Sequence, residues 1–301
     1  MTTTQPFRII SADSHVMEPY DLWWDALGHR FGDRTPRIID EYRGVKGTFF
    51  YAGNPGQEAS MVQDLDPVTE SSVVIAHEQG FEACGYDGAV RLRFQDAAAV
   101  EAEVLHPTRM LGMFRNPDVE VLQACCQVFN DWEAEFVSHN PRRLLGVAAI
   151  TMNDVDWALK ELERTLKKGL VEIMVNCQAP EGCPPYRDPV YDRFWAAAEE
   201  AGAPIGLHIL TGRVPSGATN TEFQTVQERL ENPWGQLMVR MEIQKVLGND
   251  FIFGGILDRF PKLKVVCAEF EASWIPHFMD RMDECSDPAM FGPAMRLAPS
   301  R

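Results

Sequence analysis

From about residue 100 onward, the chain alternates short apolar segments with amphipathic helical patterns. Strand-like runs such as RLLGVAAI and VEIMVNC are separated by helix-like stretches such as DVDWALKELERTLKK. With FRIISA as the first strand, the pattern predicts six β/α units. Short apolar strands that alternate with helices form a parallel sheet with helices on both faces, because parallel strands need crossover connections.

A (β/α) barrel and a doubly wound sheet both fit this alternation, and two observations favour the barrel. No glycine-rich phosphate loop follows the first strand, as a dinucleotide-binding fold requires. Ionisable residues instead follow the ends of several strands, where barrel enzymes carry their chemistry. We therefore predict an α/β fold of the TIM-type (β/α)8 barrel class, shortened to about six β/α units. Residues 1–301 would form a single domain with an irregular insertion at about 20–95.

Composition limits the partners of this chain. The net charge of −16 argues against nucleic acid and anionic membranes, because both attract basic surfaces. No apolar run approaches the length of a membrane span, and the N-terminus lacks the pattern of a secretory signal. The seven cysteines form no CxxC pair, which favours reduced, buried thiols. We expect a cytoplasmic protein without a nucleic-acid or membrane partner.

Asp13 and His15 lie at the end of the first strand, in IISADSH. Residues two apart in a strand point to the same side, which in a barrel is the interior. There a carboxylate and an imidazole provide half of a divalent metal site. The alternative is a polar turn in which Asp13 caps the next segment. His208, at the end of another apolar strand, favours the metal site, because neutral imidazole is the usual ligand of zinc and similar ions.

Other polar residues follow the strand ends. Glu269 comes directly after KVVCA, where it could ligate a metal, act as a general base or simply face solvent beside Glu271. An arginine near such a site suits a substrate carboxylate, because its guanidinium can bind both oxygens. Structural roles stay open for these residues, as for Glu18, which could cap the next segment. The candidate contacts to a small-molecule substrate are Glu18, His106, Arg109, Asn176 and Arg213.

Four segments of the chain follow one another in this order: IISADSHVMEP, VFNDWEAEFVSHNPRRLLGVAAI, DPVYDRFWAAAEEAGAPIGLHI and GGILDRFPKLKVVCAEFEASWIPHFMDRMD. With them, the chain resembles the amidohydrolase-related family, a branch of the metal-dependent hydrolase superfamily. This branch includes aminocarboxymuconate-semialdehyde decarboxylase and resorcylate-type decarboxylases. The resemblance implies a (β/α)8 barrel with one divalent ion, zinc or alternatively manganese, and it allows a homodimer. It assigns Asp13 and His15 as first-strand ligands and His208 as the fifth-strand ligand.

Two departures from the family pattern bear on the chemistry. Decarboxylases of this family typically carry a histidine at the end of the sixth strand, in HxGE, where this chain has Glu269. The last metal ligand of the family is an Asp in an SDxPH-like phrase after strand eight. Asp287 lies too close to Glu269 to leave room for the intervening units. We therefore expect a barrel shortened by two units, with an incomplete metal site.

These residues predict a metal-dependent hydrolase that acts on a small substrate bearing a carboxylate or an aromatic ring. A metal-activated water would attack the substrate, with Glu269 as the general base. Glutamate in place of the family histidine favours hydrolysis over the first alternative, non-oxidative decarboxylation of an aromatic or muconate-type acid. The second alternative is a truncated or degenerate barrel that binds a ligand without turning it over.

Overall fold

The computed structural model describes residues 9–42, 44–53, 60–61, 80–212 and 241–286. The strands of these ranges, in chain order, are β1 (Ile9–His15), β2 (Arg37–Tyr42), β3 (Val45–Tyr51), β4 (Ser60–Met61), β5 (Val100–His106), β6 (Leu144–Ile150), β7 (Glu172–Val175), β8 (Ile205–His208) and β9 (Val265–Ala268). The α-helices are α1 (Leu22–Phe31), α2 (Gly88–Ala98), α3 (Arg109–Met113), α4 (Val119–Ser138), α5 (Val155–Lys167), α6 (Asp192–Ala201), α7 (Ile256–Arg259) and α8 (Ile275–Ser286).

Six of these strands form one sheet in the order β1-β5-β6-β7-β8-β9, and every neighbouring pair is parallel. The spatial order follows the chain order, whereas a doubly wound sheet reverses its order at a switch point. The prediction of a barrel-type α/β fold with six β/α units is therefore confirmed.

The sheet is strongly curved. Strands β1 and β8 are four positions apart in the sheet, so a flat sheet would separate them by about 19 Å. The rings of His15 in β1 and His208 in β8 nevertheless have their centroids 5.2 Å apart. The strands must therefore bend around a common interior, which brings the carboxyl ends of distant strands to one rim.

The helices cover the outer face of the sheet, and aspartates fix where several of them begin. Asp87, Asp118 and Asp154 accept hydrogen bonds from backbone N–H groups in the first turns of α2, α4 and α5. Such caps satisfy donors that a helix leaves unpaired at its start. Buried aliphatic and aromatic side chains fill the space between the helices and the sheet, among them Leu105, Phe129, Ile150, Val175, Phe194 and Trp195.

The segment between β1 and α2 falls within the predicted insertion and contains secondary structure of its own. It includes α1 and an antiparallel sheet of β2, β3 and β4. Trp23 of α1 is fully buried, lies 5.9 Å from Phe50 between ring centroids and donates a hydrogen bond to the carbonyl of Cys125. These contacts attach the segment to α4. That residues 1–301 form a single domain stays a prediction.

Across the described ranges, no helix combines the length and the hydrophobicity that crossing a membrane would demand.

Candidate metal centre

Three strands bring one carboxylate and three imidazoles to the same rim. Asp13 and His15 come from β1, and His106 is the Cα partner of His15 on the neighbouring strand β5. His208 ends β8 and faces the same interior because of the curvature. Ring centroids of His106 and His208 are 5.1 Å apart. The structure therefore brings together residues that the sequence could only propose from separate strand ends.

One oxygen of Asp13 lies at the centre of this group. Its Oδ1 is 3.6 Å from His15 Nε2 and 3.7 Å from His208 Nε2. The potential ligand atoms of Asp13, His15 and His208 all lie within 4.8 Å of one another. The two distances from Asp13 Oδ1 to the histidine Nε2 atoms are too long for a hydrogen bond, and they are short enough for these atoms to bind one ion.

The outer nitrogens of two histidines show which atoms face the cluster. His15 Nδ1 lies 2.8 Å from the carbonyl oxygen of Pro107, and His208 Nδ1 lies 2.8 Å from that of Ile209. A carbonyl only accepts, so each Nδ1 carries the proton and donates it. In the neutral ring the Nε2 lone pairs then point toward the Asp13 carboxylate, with no donor between them. These atoms fit a divalent cation, because metal-bound histidines usually donate their other nitrogen to a backbone carbonyl or carboxylate.

The ionisation of the cluster also suits a cation. Burial lowers the pKa of His15, which favours the neutral imidazole that can coordinate. Burial likewise lowers the pKa of His106 to about 4. Interaction with the His208 side chain, as the largest cause, lowers the pKa of Asp13 and keeps it ionised. At neutral pH Asp13 is therefore a carboxylate, and the imidazoles of His15 and His106 are neutral.

Glu269 stands beside the cluster on its exposed side. It follows β9, where His208 and Ala268 are Cα partners, and its Oε2 lies 3.9 Å from His208 Nε2. Its side chain is about half exposed, and its backbone is left-handed with φ of 63°. Non-glycine residues are uncommon in this conformation, which occurs at active sites where the surroundings hold the strain. Glu269 can thus reach both the rim and solvent, as a proton-transferring group must.

The outward face of β1 is held by a buried ion pair. Glu103 of β5 accepts hydrogen bonds from Arg91 at 2.7 and 2.9 Å and from Ser14 at 3.0 Å. Arg91 also donates to the carbonyl of His15. None of these residues is among the candidates predicted from the sequence. Because Ser14 lies between Asp13 and His15, the network positions the two predicted ligands.

Two of the predicted substrate contacts, Glu18 and Arg109, interact with other parts of the protein. The Glu18 carboxylate accepts hydrogen bonds from the backbone N–H groups of Thr108, Arg109 and Met110, so it caps α3. The Arg109 guanidinium donates to the carbonyl of Glu18 and lies over the ring of Tyr20 at 3.8 Å from its centroid. Both side chains are buried. Glu18 and Arg109 therefore position the loop after β1, and their contact with a substrate stays a prediction.

The side chain of Asn176 also makes hydrogen bonds within the protein. Its side chain accepts from the backbone N–H of Met152 and donates to the carbonyl of Phe114, and it is buried. It joins the ends of β6 and β7 to the segment after α3, and its substrate contact stays a prediction. Arg213 lies outside the described residues.

Glu172 is a buried acid on the inner face of β7 that the sequence analysis missed. It lies on the same face as Met174, whose Cα partner is Gly206 of β8. A Cβ atom at Gly206 would lie 2.3 Å from Glu172 Oε1, so the glycine leaves room for the carboxyl group. This oxygen is buried and has no hydrogen-bond partner in the ranges that the structure describes, and burial raises the pKa of Glu172 to about 7. The signal in the sequence was an acid inside the apolar run VEIMVNC.

Solved structures share this fold. An amidohydrolase from Mycobacterium avium subsp. paratuberculosis K-10 superimposes with a TM-score of 0.72 over 96% of this chain and 80% of its own, at 19% identity. A dihydroxybenzoic acid decarboxylase from Polaromonas sp. JS666, with bound manganese and the inhibitor 2-nitroresorcinol, gives 0.52 over 86% of this chain and 64% of its own, also at 19% identity. At these identities the likeness concerns the fold.

A curated relative extends the likeness to sequence. The gamma-resorcylate decarboxylase of Rhizobium radiobacter is 27% identical over 203 residues, which is 64% of this chain and 58% of the relative. The chain thus spans a little over half of the length of that relative.

The family model described as amidohydrolase matches residues 73–295, which include β5 to β9, His106, His208 and Glu269. This range covers most of the chain and agrees with the curved parallel sheet and its rim of acids and histidines. The resemblance noted from the sequence is therefore confirmed, and the chain belongs to the amidohydrolase family.

Proposed function

We propose that this protein is a metal-dependent, non-oxidative decarboxylase of a small hydroxylated aromatic acid. The observation that carries the metal dependence is the convergence of Asp13 Oδ1, His15 Nε2 and His208 Nε2 without a donor between them. The reaction class is supported by the curated relative, a gamma-resorcylate decarboxylase, and by the fold neighbour named for dihydroxybenzoic acid. The substrate would carry a carboxylate and a phenolic hydroxyl.

Asp13, His15 and His208 would hold the ion. Imidazole and carboxylate donors together suit zinc, and manganese is the alternative because the Polaromonas decarboxylase holds it. Bound there, a divalent ion would supply positive charge that holds an acidic substrate and stabilises negative charge on its oxygens.

Glu269 is the residue that we assign to proton transfer. Its carboxyl group reaches solvent and lies beside His208 at the rim. In decarboxylation it gives a proton to the ring carbon that bears the substrate carboxylate. The bond from this carbon to the carboxylate then breaks, its electron pair restores the aromatic ring, and CO₂ leaves. Solvent returns a proton to Glu269, so the turnover consumes one proton and no water.

Hydrolysis, the activity that the sequence favoured, is the second candidate. The same exposed carboxylate could take a proton from a water molecule that attacks an ester or lactone. The presence of Glu269 where family decarboxylases typically carry histidine is the observation that supports this candidate.

The two candidates differ in their products. We would strip the protein with a chelator, reload it with Mn²⁺ or Zn²⁺, and incubate it with 2,6-dihydroxybenzoate and, separately, with small esters and lactones. We expect metal-dependent release of CO₂ and the corresponding phenol. Release of acid from the esters or lactones without CO₂ from the benzoate would instead establish hydrolysis.

Variants test the site itself. We expect His15→Ala and His208→Ala to weaken metal binding by at least about 100-fold, because loss of a ligand should cost no less than loss of a residue that orients one. Elemental analysis after dialysis measures this. His277→Ala, which alters an exposed histidine of α8, is the matched control and should retain the metal. Full metal content in both site variants would refute the assignment.

A further inference from the structure

His106 is a fully buried histidine whose ring nitrogens make no hydrogen bond of good geometry with the described part of the chain. It ends β5, its exposed fraction is 0%, and both Nδ1 and Nε2 lack a hydrogen bond among the described residues. Buried polar atoms are nearly always paired, because a lost contact with water is costly when nothing replaces it. The residue therefore calls for a partner beyond the hydrogen bonds that the described residues provide.

The geometry places that partner at Asp13. His106 Nε2 lies 4.0 Å from Asp13 Oδ1, the oxygen that is 3.6 Å from His15 Nε2 and 3.7 Å from His208 Nε2. Atoms that share one ion at about 2.1 Å lie about 3.0 to 3.4 Å from each other. A shift of about 1 Å would bring His106 Nε2 to that separation from Asp13 Oδ1, which is within the reach of a side-chain rotation. The ligand atoms that already lie within 4.8 Å of one another belong to Asp13, His15 and His208, so a bound ion would also draw the His106 ring toward the other two histidines.

His106 is also buried on the side of the cluster away from solvent, where a substrate cannot reach it. The side chains of Asp13 and Glu269 are 34% and 51% exposed, whereas His106 and His208 are completely enclosed. A substrate would therefore approach past Asp13 and Glu269, and His106 lies on the closed side of the cluster together with an assigned ligand. This placement favours a contact with the ion over the substrate contact that the sequence predicted.

We propose that His106 is a further protein ligand of the metal ion, which makes the centre a site of three histidines and one carboxylate. The proposal rests on the metal site of the proposed function. The backbone of Ala12 interacts weakly with the His106 ring, but neither ring nitrogen makes a hydrogen bond of good geometry among the described residues, so Nε2, which faces Asp13, can offer its lone pair. An ion with four protein ligands still binds a substrate by expanding to a fifth position, as zinc sites do during catalysis.

The test counts imidazoles on the bound ion. The full chain would be loaded with Co²⁺, and X-ray absorption would measure the number of coordinated imidazole rings. We expect three in the unaltered protein and two in both His106→Ala and His106→Leu. We also expect the visible Co²⁺ spectrum to change and the Kd for the ion to rise by at least about 100-fold in both variants. His277→Ala is again the matched control and should keep three.

Two results would overturn the proposal, and they are distinguishable. Two imidazoles in the unaltered protein, with a Kd that His106→Ala leaves within about twofold, would leave the metal site intact and remove His106 from it. Failure of the unaltered protein to bind Co²⁺, Zn²⁺ or Mn²⁺ would overturn the metal site as well. The number of imidazoles on the ion in the unaltered protein is measured without any variant. The proposal can therefore be tested even if a His106 variant fails to fold.

Discussion

Where strands β1 and β5 pair, buried polar side chains of β5 lie on both faces of the sheet, and their surroundings differ between the two faces. On the outer face, Glu103 accepts hydrogen bonds from Arg91, Gln95 and Ser14. On the inner face, neither nitrogen of His106 makes a well-formed hydrogen bond with the described residues. Among the described residues, the same two strands thus hold one polar network that is hydrogen-bonded and one that is not. A completed network serves the fold, whereas an incomplete one on a rim calls for a ligand.

The pKa values of the buried acids also differ between the outer and the inner face of the sheet. Burial opposes the charge of Glu103, but the hydrogen bonds and charge of Arg91, together with Gln95 and Ser14, outweigh it and lower the pKa of Glu103. On the inner face, burial raises the pKa of Glu172 to about 7, and no ion pair of Glu172 offsets it in the described part of the chain. Substitutions on the two faces should therefore differ in size, in pH dependence and in sign.

The largest effect on stability is expected from Glu103→Gln. This change keeps the shape but leaves the Arg91 guanidinium buried without a counter-charge, which should cost about 3 to 5 kcal/mol of unfolding free energy. Denaturant unfolding measures the loss. Asp96→Asn is the control, because it breaks an exposed ion pair with Arg143 and should cost less than about 1 kcal/mol. Equal effects of the two substitutions would show that the outer network does not hold the fold.

A smaller, pH-dependent effect is expected from Glu172→Gln. Because its pKa is raised in the folded state, Glu172 contributes stability below about pH 4.5 that is lost as the pH rises through about 7. The glutamine variant has no such loss, so it should gain about 3 kcal/mol relative to the unaltered protein between pH 4 and pH 8. Unfolding of both metal-free proteins across this range measures the difference, in which other titrating groups cancel. Parallel stability curves would contradict the prediction.

The smallest effect, with the opposite sign to that of Glu103→Gln, is expected from His106→Leu in the metal-free protein. Leucine removes two unpaired nitrogens and occupies a similar volume, so stability should stay equal or rise by up to about 1 kcal/mol. Denaturant unfolding in the presence of a chelator measures it. A loss above about 1 kcal/mol would mean that His106 serves the fold, as the outer network does.

The sequence predicted the strands well because each is a short apolar run bounded by helix ends and turn residues. FRIISA, VEAEVLHP and PIGLHIL correspond to β1, β5 and β8. It also predicted that Asp13, His15 and His208 meet, because carboxyl ends of parallel strands share one edge. It did not reveal that Glu18 caps α3 or that Asn176 is engaged by the backbone, because those partners lie far away in the chain.

By itself, the sequence determined the order of strands and helices, the parallel sheet, the family and the strand ends that carry acids and histidines. These follow from local periodicity and from residue types, which act over a few neighbouring positions. The tertiary structure alone decided which polar groups are paired. Curvature of the sheet brings His208 next to β1, and the direction of each side chain separates the paired Glu103 from the unpaired His106. Pairing depends on distances between residues far apart in the chain, which no local pattern encodes.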